Sequence, residues 1–177
     1  IYNNLINNEK LLSTARRTGY KIKYVLHPIL TSQAKDFTSN SEVEVLPAVD
    51  ISYEALLTQS SLMVTDYSGV QFDFAYMKKP IVYFHPSQLP AHYEDGCFFY
   101  DTMGFGEICT ESEHLVELLC EYMENNCVMK PEYVARVEDF YHYDDHDNCR
   151  RIYEQVHEFQ KQVDIDLSLI HISEPTR

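Results

Sequence analysis

The run Thr65-Asp66-Tyr67-Ser68-Gly69-Val70-Gln71-Phe72-Asp73 brings a carboxylate, a hydroxyl and a small residue to the point where an apolar stretch gives way to a helical pattern. A helix beginning at Ser68 leaves its first backbone N–H groups without intrahelical partners and turns its positive end toward the preceding loop, which suits a phosphate. Gly69 lets a ligand approach closely. The same spacing also fits a capping box, Ser68-x-x-Gln71, serving the helix alone. The two uses are compatible, because a cap engages Ser68 Oγ and leaves neighbouring amides available. Asp66 at the strand end can orient a ribose or substrate hydroxyl, or cap the loop. His27 ends a second apolar stretch, and Pro28 after it fixes the loop and withholds a backbone donor. An imidazole there can be cationic beside a phosphate and donate to a leaving phosphate oxygen. A hydrogen-bonded structural histidine is the competing reading.

Other clusters read as structural. His142 and His146 share the i, i+4 spacing of a helical metal pair, but YHYDDHDNC reads as a linker into the acidic first turn of the next helix, and no third ligand cluster accompanies it. No metal or other cofactor is expected. Gly104-Phe105-Gly106 lacks the strand–helix context of a dinucleotide fingerprint and reads as a loop. Phe72, Phe74 and Tyr76 read as core. The five cysteines form no C-x-x-C pair, so neither a disulfide framework nor a zinc ribbon is indicated, and a reduced, intracellular setting is expected.

The elements that would position these residues alternate. Leu5, Leu11, Leu12 and Ala15 predict a helix over residues 4–17, with Gly19 where a C-terminal cap belongs. Residues 20–27, 42–46, 61–65, 80–84 and 107–110 predict short strands. Helical patterns cover 52–59, 68–79 and 112–124, followed by strandless helices over 131–141 and 145–160. Such alternation predicts an α/β fold, a Rossmann-like parallel sheet with helices on both faces. Ligands of such sheets bind outside the carboxyl ends of the strands. The loops at 27–28, 47–50, 66–69 and 85–87 are therefore the places to look.

With 177 residues, the chain has room for one domain and buries roughly 70% of its unfolded surface. Against 28 Asp+Glu stand 14 Lys+Arg, a formal charge of −14. That balance argues against a counterion-releasing grip on nucleic acid, yet a few amides and an imidazole can still form a positive pocket. Residues 167–177, LSLIHISEPTR, resemble translated sequencing-adapter sequence and are set apart as an artefact, with 161–166 as a native tail and 1–160 as the domain. The opening at Ile1 reads as the middle of something longer.

Several segments together resemble the C-terminal half of the CDP-glycerol glycerophosphotransferases, the teichoic-acid-type polymerases and primases of bacterial walls. They are YKIKYVLHP at 20–28, VEVLP at 43–47, DISYEALLTQSSLMVTDYSGVQFDFAYMKKPIVYF at 50–84, MGFGEIC at 103–109 and DNCRRIYE at 147–154. Gly69 stands where many relatives have a second Ser, and Leu26 where a basic or proline-containing lead-in is common. The resemblance implies a two-domain GT-B enzyme of which this chain holds the C-terminal, nucleotide-binding part. The missing N-terminal domain would supply the acceptor site and a second His as base, and the last helix would cross back to it. CDP-glycerol would bind with its diphosphate between His27 and the Ser68–Gly69 helix start. His27 would be catalytic, with Pro28, Thr65, Asp66, Tyr67, Ser68, Gly69 and Asp73 around the donor. The acceptor would be a polyol phosphate or lipid-linked, and the full-length enzyme cytoplasmic and peripheral at the membrane. The isolated piece would be inactive. Rival expectations are a GT-B glycosyltransferase using a nucleotide-sugar, a phospho-receiver domain with Asp66 as acceptor, and a non-catalytic nucleotide-binding module.

Overall fold

A computed structural model describes residues 1–47, 51–88 and 98–162. They belong to two compact units, one from Ile1 to Phe140 and one beginning at Tyr141. The first runs α1 (Tyr2–Ile6), α2 (Glu9–Thr18), β1 (Ile22–Leu26), a 3-10 segment (Pro28–Asp36), β2 (Val43–Pro47), α3 (Tyr53–Gln59), β3 (Met63–Thr65), α4 (Val70–Tyr76), β4 (Ile81–Phe84), α5 (Tyr100–Met103), β5 (Gly106–Cys109), α6 (Ser112–Glu124) and α7 (Pro131–Phe140). The second contains α8 (Asn148–Gln162). The tail and adapter-like residues from 163 onward, the loop from residue 48 to 50, and Cys97 lie outside the described residues.

Each strand pair is parallel, and the α/β, Rossmann-like class predicted from the alternation is the fold observed. Ile22 faces Val43 in the β1–β2 pair, while Met63 faces Ile81 and Ile81 faces Gly106 in β3–β4–β5. Among the described residues the hydrogen-bonded ladder comes in these two parts. Tyr2 joins them by packing: its ring lies 6.2 Å from that of Tyr24 in β1 and meets Phe84 of β4 edge-on at 6.0 Å.

Buried along its whole length, β4 explains its unbroken apolar run, since a parallel strand covered on both faces has no polar side to alternate with. Val82 and Phe84 join Leu11 and Ala15 of α2 and Leu115 and Leu119 of α6 in the main core. Tyr83 points the opposite way, as strand geometry requires, and meets α4.

The helix predicted over 4–17 is divided, because two asparagines found better partners than a continuous helix offers. Asn8 caps α2 by accepting from the N–H groups of Lys10 and Leu11 at 3.0 and 3.2 Å. Asn7 donates to the Thr38 carbonyl at 3.1 Å and accepts from the Asn40 amide at 2.8 Å, tying the break to the approach to β2. Gly19 caps α2 in the left-handed region at φ +81°, as its position suggests.

The Gly104-Phe105-Gly106 loop is in part a strand start. A Cβ on Gly106 would fall inside the carbonyl oxygen of Ile81, and one on Gly104 would strike the Tyr100 carbonyl. Close approach of main chains, with Phe105 fully buried between, accounts for both glycines. Lys79 has a structural task too. Its Nζ donates to the carbonyls of Leu57, Thr58 and Ser60 at 2.9, 2.7 and 2.7 Å, closing the C-terminal end of α3 against the turn before β4. Desolvation holds that ammonium below its ordinary pKa.

Cys109, Cys120 and Cys127 are buried free thiols and Cys149 an exposed one. Burial, with the Glu107 carboxylate near it, pushes Cys109 up to about 11, which keeps it protonated and inert at neutral pH. Among the described residues no helix is long and apolar enough to cross a membrane.

Because β5 can approach β4 only through a residue without a side chain, Gly106→Ala is expected to cost about 2–3 kcal/mol. The measurement is the urea midpoint of this chain; an unmoved midpoint would show that β5 shifts freely.

Candidate functional site

The carboxyl ends of β1, β3 and β4 carry the residues with chemistry. After β3, Thr65 is half-buried, Asp66 exposed, Tyr67 and Ser68 half-buried and Gly69 exposed. The helix starts two residues later than the pattern suggests: α4 begins at Val70, with Gly69 in the cap position. Ser68 Oγ accepts from the Val70 N–H at 3.4 Å, a long bond. Gln71 does not complete the capping box. Its side chain turns inward because a buried hydroxyl offers a stronger bond than an exposed helix end.

That inward turn builds a network. Tyr83 Oη donates to Gln71 Oε1 at 2.6 Å and accepts from the Phe105 N–H at 3.1 Å. Gln71 Nε2 donates in turn to Tyr100 Oη at 3.3 Å. Gln71 and Tyr83 are 2% and 0% exposed, so these bonds form out of reach of water. Together they fix the first turn of α4 to β4, to the entry of β5 and to α5.

His27 is exposed at the end of β1 and caps the 3-10 segment that Pro28 opens. Proline is at home there, since its missing donor would have had no partner. The Ile29 N–H donates to His27 Nδ1 at 3.3 Å. While Nδ1 accepts that bond, the ring holds its proton on Nε2, at the outer edge. In that arrangement Nε2–H is the donor the ring offers. Asp66 lies within electrostatic reach of β1: burial, then Tyr2 and the Asp66 carboxylate, push Tyr24 up to about 12, and burial and Asp66 raise Tyr2.

Asp73 is exposed in the first turn of α4, about 200° around the helix from inward-facing Gln71. There it complements the positive helix end. Phe74 is core, whereas Phe72 stacks on Phe140 at 5.5 Å and meets Phe98 and Phe105 edge-on. His142 and His146 lie in the linker before α8, outside any helix, so their spacing does not put them on one helical face. Among the described residues no group of three or more His, Cys, Asp or Glu side chains is arranged to hold a metal.

Sequence reasoning named the loop at 85–87 but assigned His85 no role. It follows β4 as His27 follows β1, and its ring stacks on Tyr67 at 4.2 Å and 8°. Tyr100 meets it edge-on at 5.0 Å. The available signal was a repeated doublet: His85-Pro86 repeats His27-Pro28 at the end of a second strand.

A cleft of about 260 Å³ lies along β5 rather than at the strand ends, lined by Tyr100, Asp101, Glu107, Tyr133 and Arg136 among others. Glu107 and Arg136 are engaged with the protein. Glu107 accepts from Tyr122 Oη at 2.9 Å and pairs with Lys130 at 2.6 Å, and Arg136 donates to the Gly104 carbonyl at 2.7 Å.

A family model described as CDP-glycerol:poly(glycerophosphate) glycerophosphotransferase matches residues 1–158. The chain is similar to the minor teichoic acid biosynthesis protein GgaB of Bacillus subtilis, with 38% identity over 155 residues, 88% of this chain and 17% of that protein. It is similar also to the teichoic acid glycerol-phosphate primase of Bacillus spizizenii, with 34% identity over 80 residues, 44% of this chain and 20% of that protein. The chain thus spans about a fifth or less of the length of these relatives. No solved structure matches it.

Two substitutions separate what the fold needs from what it tolerates. A Cβ on Gly69 would meet nothing within 4 Å, and its backbone is ordinary right-handed helix, so Gly69→Ser is expected to change stability by less than about 0.5 kcal/mol. Tyr83→Phe strands Gln71 Oε1 and the Phe105 N–H in the core and is expected to cost about 1–3 kcal/mol. Thermal unfolding of both variants checks this; equal melting points would deny the network its part in stability.

Proposed function

The chain belongs to the CDP-glycerol:poly(glycerophosphate) glycerophosphotransferase family, and on that premise we propose that it forms the donor-binding part of an enzyme that transfers glycerol phosphate in teichoic acid synthesis. The donor is CDP-glycerol, with its diphosphate between His27 and the Asp66–Gly69 loop and with Thr65, Tyr67 and Ser68 beside it. Pro28 holds the His27 loop, and Asp73 contributes charge from further along α4. The acceptor is a polyol phosphate, free or lipid-linked, and the surrounding architecture is GT-B. A domain N-terminal to this chain completes the site, α8 reaches toward it, and the full-length enzyme works at the inner face of the membrane. Without that domain, the piece described by residues 1–160 binds the donor but does not turn over.

In the step itself, a hydroxyl oxygen of the acceptor attacks the phosphorus that carries glycerol. The bond from that phosphorus to the bridging oxygen breaks, its electron pair leaves on CMP, and the hydroxyl proton passes to a base on the N-terminal domain. Such transfer depends on positioning and on neutralising charge as it moves to the leaving oxygen. The observation that carries the reading is the Ile29 N–H bond to His27 Nδ1, which commits the imidazole proton to Nε2 at the open edge of β1. A donor held there stabilises the leaving phosphate oxygen without reorganising first.

In the full-length enzyme, His27→Ala is expected to lower kcat by about 10²–10⁴, with the melting point nearly unchanged. Turnover equal to wild type removes the catalytic assignment. Calorimetric titration of this chain separates the donor classes: binding of CDP-glycerol is expected, and tighter binding of a UDP-sugar would move the protein to the glycosyltransferases.

A further inference from the structure

The two His-Pro pairs use their rings in opposite senses. His27 spends Nδ1 on its own loop and keeps Nε2–H outward, whereas His85 Nε2 lies 3.3 Å from the main-chain oxygen of Asp66. A carbonyl only accepts, so Nε2 of His85 carries the proton and donates it across to the β3–α4 loop. The ring is held on its other sides. Tyr67 covers one face at 4.2 Å, the edge of Tyr100 abuts it at 5.0 Å, and the His85 N–H continues the ladder to the Cys109 carbonyl at 2.8 Å. Tyr100 is set in turn by the Gln71 amide.

We propose that His85 is a positioning residue for the donor, holding the Asp66–Ser68 loop by its Nε2–H bond to the Asp66 carbonyl and its stack on Tyr67. Asp66 is exposed and follows a three-residue strand, so local structure alone gives its main chain little constraint. The imidazole supplies two constraints from β4, one on the carbonyl and one on the next ring. A phenyl ring would keep the stack and lose the donor; a primary amide would keep a donor and lose the stack. This inference rests on the reading of the loop as the donor's seat.

The test uses this chain as wild type, His85→Phe and His85→Gln, with CDP-glycerol as the titrant and thermal unfolding as the control. His85→Phe is expected to keep its melting point within a few degrees and to bind the donor about fivefold or more weakly, with His85→Gln recovering part of the loss. Independently of any ligand, nitrogen-15 spectra of the wild-type imidazoles are expected to show His85 protonated on Nε2. Donor affinity of His85→Phe equal to wild type, or a proton on Nδ1 alone, overturns the inference while the proposed function stands. Failure of the wild-type chain to bind CDP-glycerol overturns both.

Discussion

Inside the molecule, the hydroxyl of Tyr83 is placed where no water reaches it, donating a hydrogen bond to Gln71 Oε1 and accepting one from the Phe105 N–H. Three elements meet at that oxygen. α4 is held by its first turn, β5 by its entry, and Tyr100 by the Gln71 amide that the same arrangement aims. A buried polar group must be satisfied within the protein or lose its solvation uncompensated, so these partners have little freedom to drift. The loop after β3 is thus flanked on its β4 side by a wall whose geometry is set by hydrogen bonds as well as by packing.

Burial of β4 makes this possible. Its alternate side chains serve two layers, Val82 and Phe84 entering the core with α2 and α6, Tyr83 meeting α4 on the other side. Around it the structure uses single polar side chains to stop helices and join turns: Asn8 starts α2, and Lys79 closes α3 onto the turn before β4. None of these contacts involves the exposed edge where His27 and Asp66 lie. That edge can carry binding groups because its stability is secured elsewhere.

The acidic composition and the proposed anionic donor are reconciled by scale. Screening confines the effect of exposed carboxylates to roughly 8–10 Å at ordinary ionic strength. Within such a distance, an imidazole N–H and main-chain amides decide the field a phosphate meets. A −14 chain can thus repel nucleic acid in general and still admit one diphosphate at a strand end.

Elements were legible where one force sets them. The continuous apolar run before His27, the alternation of strands and helices, and Gly19 as a cap all follow from burial and backbone sterics along the chain itself. Legibility ended where a side chain had two possible partners. Gln71 has the spacing of a capping residue, and only the hydroxyl of Tyr83, twelve positions away, draws it inward. Gly106 reads as a loop glycine until the Ile81 carbonyl is seen against it. His85 repeats the His27-Pro28 doublet, but nothing in the doublet says which ring nitrogen is engaged.

By itself the sequence determined the α/β class, the strand ends that bear His27 and Asp66, and family membership, because periodicity and contiguous motifs are local properties of the chain. The tertiary structure decided which ring nitrogen His27 and His85 each engage, where Gln71 turns, and why two glycines are required. Those are choices between competing partners, and a hydrogen-bonding group makes them only when distant segments arrive within about 3 Å.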